Sequence, residues 1–93
     1  MRMIEQTTRF RRDYKRELKG RYASDLDAGL REVLIFLVED RALPTRYRDH
    51  ALIADWRGYR ECHIKSDLLL IYQKQEQEIL VLVRLGSHSE LFS

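Results

Sequence analysis

The chain is short of the residues that staple, break or anchor a protein. It has one cysteine, Cys62, which excludes an internal disulfide, so a reduced, cytoplasmic setting is the expectation. Its one proline, Pro44, marks a loop, because proline disfavours helix in the residue before it. No repeat, linker or low-complexity segment is visible. The longest fully apolar run, Val33 to Val38, falls far short of the ~20 residues needed to span a bilayer, which argues against a membrane protein. The N-terminus turns charged too soon for a secretory signal. With 93 residues, 44% hydrophobic and 34% charged, the composition is globular rather than disordered. One domain covering residues 1–93 is expected, near the small end of what folds without staples.

The net charge of +2 conceals an asymmetry. Arg9, Arg11, Arg12, Lys15, Arg16, Lys19 and Arg21 are opposed within their segment only by Asp13 and Glu17. A concentrated basic segment on an otherwise slightly acidic domain suggests a polyanionic partner, nucleic acid first. A merely solvated helix face is the plainer alternative.

Hydrophobic spacing gives an α+β chain, helices first and sheet after. Met3 to Gln6 suits a short first strand. Thr7 or Thr8 can cap a helix whose apolar stripe is Phe10, Tyr14 and Leu18, with Gly20 as a stop. Ser24 or Asp25 opens a second helix, striped by Leu26, Leu30, Val33, Leu34, Leu37 and Val38 and ending near Asp40. The short link between them predicts an antiparallel helical hairpin. Thr45 to Gly58 reads as loop with at most one short strand. Tyr59 to Ile64, Leu68 to Lys74 and Ile79 to Leu85 read as an antiparallel meander. Alternation puts Tyr59, Glu61 and His63 on one face and Cys62 and Ile64 on the other, against the helices. On the last strand it groups Leu80, Leu82 and Arg84 against Ile79, Val81, Val83 and Leu85. His63 and Arg84 are then expected to look outward, near Asp67 and His88.

The three histidines, His50, His63 and His88, all sit beside polar residues in the second half. Imidazole changes charge near neutral pH. Imidazoles with a carboxylate and an arginine can cleave RNA without metal. One group deprotonates the ribose 2′-hydroxyl, which attacks phosphorus; another protonates the departing 5′-oxygen; a fixed cation stabilises the charge gathering on the phosphate oxygens. An aromatic such as Phe92 can stack on a base. Each residue has a plainer reading as well. His50 can simply bond a loop carbonyl, and His63 can be an ordinary exposed strand residue. Asp67 is a good turn former, Arg84 can pair with Glu61, and Phe92 can plug the core from the tail. A histidine-ligated zinc hydrolase is a competing class, although spacings of 13 and 25 positions match no compact ligand motif. A nucleic-acid-binding module without catalysis is another.

Four segments carry a family resemblance: Tyr47-Arg48-Asp49-His50-Ala51-Leu52, Trp56 to Ile64, Asp67 to Tyr72, and Arg84 to Phe92. Together they resemble the YafQ-type toxins of bacterial toxin–antitoxin modules, within the RelE-like superfamily. The likeness runs from about residue 3 to the end and is strongest from Tyr47 onward. It implies a microbial-ribonuclease fold, a helical pair on a small twisted antiparallel sheet. It implies a ribosome-dependent endoribonuclease that cuts messenger RNA in the A site, with no metal or other cofactor. The active site carries over to His50, His63, Asp67, His88 and Phe92, with Arg84 as a phosphate contact. RelE itself uses lysine, arginine and tyrosine; the histidine set places this chain in the YafQ branch. In the implied mechanism His88 is the general acid and His50 or Asp67 the base, with His50 preferred. His63 and Arg84 hold the phosphate, and Phe92 places the substrate base. The implied partners are the ribosome, messenger RNA and a cognate antitoxin, acidic and partly disordered when free. The toxin–antitoxin complex would bind operator DNA through the antitoxin.

Overall fold

The computed structural model describes residues 1–92. Strand β1 (Met3–Gln6) leads into helix α1 (Thr8–Glu17), and helix α2 (Leu26–Val38) follows. A loop with two 3-10 turns and the short strand β2 (His50–Ala51) comes next. Strands β3 (Arg60–Lys65), β4 (Leu68–Gln75) and β5 (Ile79–Gly86) form the meander, and helix α3 (His88–Phe92) closes the described chain. The sheet order is β1-β5-β4-β3-β2. Among the described residues only the β1–β5 pair is parallel, so the expected antiparallel sheet is mixed at one edge. No helix among the described residues is long and apolar enough to cross a membrane.

Local chemistry sets the helix ends. Thr7 Oγ1 accepts the Phe10 amide at 2.9 Å, the expected N-cap. Asp40 at φ 55° ends α2 in the left-handed conformation, and the Arg41 amide returns to the Phe36 carbonyl at 2.9 Å, closing the last turn. The helical hairpin is looser than the short link predicts. Both helices cover one sheet face and Tyr14 bonds Asp27 across them. An apolar groove of about 830 Å³ nevertheless separates them, lined by Phe10, Leu18, Leu30, Leu34, Ile35 and Val38 among others.

The main core lies between the helices and that face. Leu26, Val33 and Leu37 of α2 meet Cys62, Leu68, Leu70, Tyr72, Leu80 and Leu85, all buried. Burial of each such aliphatic side chain is worth about 1.5–3 kcal/mol. Cys62 and Ile64 face the helices as alternation requires. Burial drives the Cys62 thiol far above its usual range, helped by the charges of Asp49 and Glu61. A smaller cluster covers the opposite face, where Leu69, Ile71 and Leu91 gather Leu52, Trp56, Tyr59, Val83 and Phe92.

On β5 the expected alternation fails at one point. Ile71 pairs with Arg84 but Tyr72 with Leu82, so Val83 is an extra residue in a bulge. A bulge resets which face the following residues occupy. Leu85 therefore joins Leu80 and Leu82 in the main core rather than siding with Val83.

β1 pairs with β5 only as far as Leu82, which would leave the rest of that edge with bare backbone groups. Side chains at the start of the chain complete it. Thr7 Oγ1 donates to the Val83 carbonyl at 2.8 Å. Asp13 accepts the Leu85 amide at 2.9 Å, and Arg16 donates to the Leu85 carbonyl at 2.8 Å. Asp13 also binds Arg84 Nε at 2.7 Å and Arg16 Nη1 at 2.9 Å. Burial by itself would raise the Asp13 carboxyl. The Arg84 hydrogen bond, the Leu85 amide and the charges of Arg84 and Arg16 outweigh it and hold the group below the usual carboxylate range.

Asp13→Asn should lower stability by about 3 kcal/mol, because it strands Arg84 at a buried site. Urea unfolding at pH 7 measures this. A depressed folded-state value means that the carboxylate's contribution is present above its unfolded value and lost as pH falls through the folded one. The gap between wild type and Asp13→Asn should therefore narrow in acid.

Candidate active site

The segment before β2 is fastened residue by residue. Tyr47 is buried, and its hydroxyl donates to Glu32 at 2.6 Å. Arg48 takes the left-handed conformation at φ 50°, which costs a non-glycine residue about 1–2 kcal/mol. Asp49 accepts the buried Tyr72 hydroxyl and Arg60 Nη2, the latter at 2.9 Å. His50 follows, with Nδ1 2.8 Å from the Arg48 carbonyl. Its plainer reading, a ring held by a loop carbonyl, is thus part of the geometry that orients it. Neighbouring strand residues point to opposite faces. Asp49 therefore anchors to Tyr72 on the helix side while His50 is presented on the other.

His50 pairs in register with Glu61. The Glu61 carboxylate is 7% exposed, and its Oε1 lies 3.6 Å from His50 Nε2 and 3.3 Å from His63 Nε2. His63 Nδ1 lies 3.4 Å from the Ser66 carbonyl. Both rings thus set Nδ1 against a backbone carbonyl and Nε2 against one shared carboxylate. A carbonyl that takes the Nδ1 proton leaves Nε2 as the atom that can receive another.

The second group forms where β5 ends. Asp67 Oδ1 accepts the His88 amide at 3.0 Å, so the turn-forming aspartate also tethers α3. Ser87 Oγ accepts the Glu90 amide at 3.2 Å while Glu90 Oε1 accepts the Ser87 amide at 2.9 Å. This reciprocal capping box, S-x-x-E, starts α3. Glu90 also reaches Arg16 at 3.1 Å. Gly86 leaves room for this joint, since a Cβ there would lie 2.6 Å from Arg16 Nη2 and 3.0 Å from Glu90 Oε1. Phe92 sits edge-on to His88 and to Trp56, with ring centroids 5.1 and 5.9 Å apart. It therefore packs partly on the second core, as its plainer reading held, while still lining a small cleft with Asp67, His88 and Ser89.

Sheet register joins the two groups on one face. His50, Glu61, Ile71 and Arg84 form one cross-strand row, and His63, Leu69 and Gly86 the next. His88 lies just beyond Gly86. The expected outward-looking Arg84 needs correction. Its backbone is in the row, but its guanidinium is 10% exposed and turned to Asp13, not to Glu61 or His63. Nε and Nη2 are taken by Asp13. No unpaired side-chain polar atom is buried among the described residues. Sequence reading missed three contributors: Glu61 as a bridge, Asp49 as an anchor, and α3 itself. The S-x-x-E signal at Ser87 and Glu90 was available for the last.

The model of a family described as bacterial toxin of type II toxin-antitoxin system, YafQ, matches residues 2–93. The mRNA interferase toxin YafQ of Escherichia coli strain K12 is 32% identical over 92 residues, covering 97% of this chain and 99% of that protein. Among solved structures, a copper-bound mutant toxin from Helicobacter pylori is similar with a TM-score of 0.90 and 38% identity, covering 99% of this chain and 100% of that one. The Escherichia coli DinJ-YafQ complex matches with a TM-score of 0.86 and 33% identity, covering 100% of both chains.

Asp49→Ala should cost about 2 kcal/mol, by leaving the buried Tyr72 hydroxyl without its acceptor. It should also broaden the His50 ring signals. Chemical denaturation and imidazole NMR check the two effects separately.

Proposed function

This chain belongs to the YafQ family of bacterial type II toxin–antitoxin toxins, and on that premise we propose that it is an endoribonuclease that cleaves messenger RNA in the ribosomal A site. The observation that carries the reading is the shared carboxylate: Glu61 faces Nε2 of both His50 and His63. His50 Nε2 takes the 2′-hydroxyl proton, and the attacking oxygen displaces the 5′-oxygen at phosphorus. The Arg48 carbonyl at Nδ1 orients the ring, and the imidazolium formed at Nε2 is stabilised by the nearby Glu61 carboxylate. His88, fixed by Asp67, gives a proton to the departing 5′-oxygen. His63 binds the phosphate; Arg84, whose guanidinium Asp13 turns away from His63, adds positive charge to the row rather than a direct contact. Phe92 places the substrate base. The products are a 2′,3′-cyclic phosphate or 3′-phosphate and a 5′-hydroxyl.

The basic first helix supports an RNA-rich target. Its acids Asp13 and Glu17 are buried, whereas Arg9, Arg11, Arg12, Lys15 and Arg16 are exposed. The solvent face is thus almost wholly cationic, as backbone attraction to RNA requires. The groove between α1 and α2 supports the antitoxin as partner. Ile35 and Leu18 are 47% and 43% exposed along it, and Arg11, Lys15 and Arg31 stand at its rim. An acidic amphipathic segment complements both features.

His88→Ala should abolish translation-dependent cleavage with the fold intact, as read by mapping cut sites on ribosomes and by circular dichroism. Full cleavage by the folded variant would remove His88 from the mechanism. Ile35→Asp should weaken copurification with the antitoxin at least tenfold and leave cleavage unchanged; equal retention of antitoxin would place the partner elsewhere.

A further inference from the structure

Beside His63 a cleft of about 480 Å³ runs from the sheet toward α2. Gly29 and Ile64 line its apolar side, and Arg48, Lys65 and Ser66 its polar side. Gly29 is needed for the depth of contact there, because a Cβ would come within 2.7 Å of the Ile64 side chain. The other charges of the cleft are largely matched. Arg46 and the Tyr47 hydroxyl hold Glu32 at 2.8 and 2.6 Å, and Lys65 has a loose contact with Asp25 at 3.9 Å. Arg48 differs. Its guanidinium is exposed and makes no hydrogen bond or ion pair among the described residues. Its left-handed backbone turns the carbonyl to His50 while the side chain lines the cleft. Strain retained at such a position is characteristic of functional loops.

We infer that this cleft is a second phosphate-binding site, which takes the phosphodiester on the 5′ side of the nucleotide whose 2′-hydroxyl attacks, with Arg48 as its cation. The inference rests on the endoribonuclease reading above. His50, the base in that reading, acts on the upstream nucleotide, whereas His88 meets the leaving group downstream. Arg48 precedes His50 by two residues and shares the cleft with His63, so a phosphate held there adjoins the nucleotide on which His50 acts. A phosphate held there would fix the ribose against His50 Nε2, making Arg48 a positioning residue that works by binding.

The test titrates isotope-labelled protein with a short single-stranded RNA blocked at the cleavage nucleotide by a 2′-O-methyl group. A second RNA carries a neutral methylphosphonate at the upstream position. Wild type and Arg48→Lys should each bind the charged RNA at least fivefold more tightly than the neutral one. Arg48→Gly, which suits the left-handed backbone and removes the whole side chain with its charge, should not discriminate between them. Its salt slope should be lower by ~0.7, the value for one single-strand phosphate contact. On ribosomes its KM should rise by more than its kcat falls. The inference is overturned if Arg48→Gly still discriminates as wild type does while the His50, His63 and His88 ring signals shift on binding. If those ring signals do not shift at all, the endoribonuclease reading falls with it.

Discussion

The Asp13 carboxylate is the point on which the architecture depends. It joins α1 to β5 through the Leu85 amide and Arg84, and it steadies Arg16, which reaches both the Leu85 carbonyl and Glu90. One buried acid thereby connects the beginning of the chain to the helix that carries His88. It also replaces the strand that β5 lacks beyond Leu82. A buried charge of this kind is tolerable only because every acceptor direction is filled.

The candidate site is assembled from two ends of one sheet face. At one end, the tightly fastened Tyr47–His50 segment feeds His50 toward Glu61 and His63. At the other, the capping box and Asp67 set α3 and His88. Leu69, Ile71 and Leu91 form the packed floor between them. Hydrogen bonds from neighbouring elements hold these short segments in place, as chemistry at placed donors and acceptors requires.

Periodicity made much of this legible. The α2 stripe, the three meander strands and the shared face of Glu61 and His63 all followed from local spacing, because each element's apolar side is written along its own few residues. What escaped was non-local or aperiodic. The parallel seat of β1 depends on a partner 76 positions away, as in Met3 with Ile79. The Val83 bulge inverts the alternation that placed Leu85. The pairing of Arg84 with Asp13 rather than Glu61 joins residues far apart in the chain, and no spacing rule connects them. The five-residue α3 is too short to show a stripe, and only its capping box announced it.

The burial of Asp13 and Glu17 beneath a surface of arginines and lysines has a kinetic consequence. Encounter with another molecule is governed by the field outside the protein, where the inward-facing acids are masked by their partners and the exposed cations act together. The modest formal charge of +2 therefore understates the positive field on one side of the molecule. A polyanion approaching that side would be steered before any shape complementarity is tested, at a rate that falls with ionic strength.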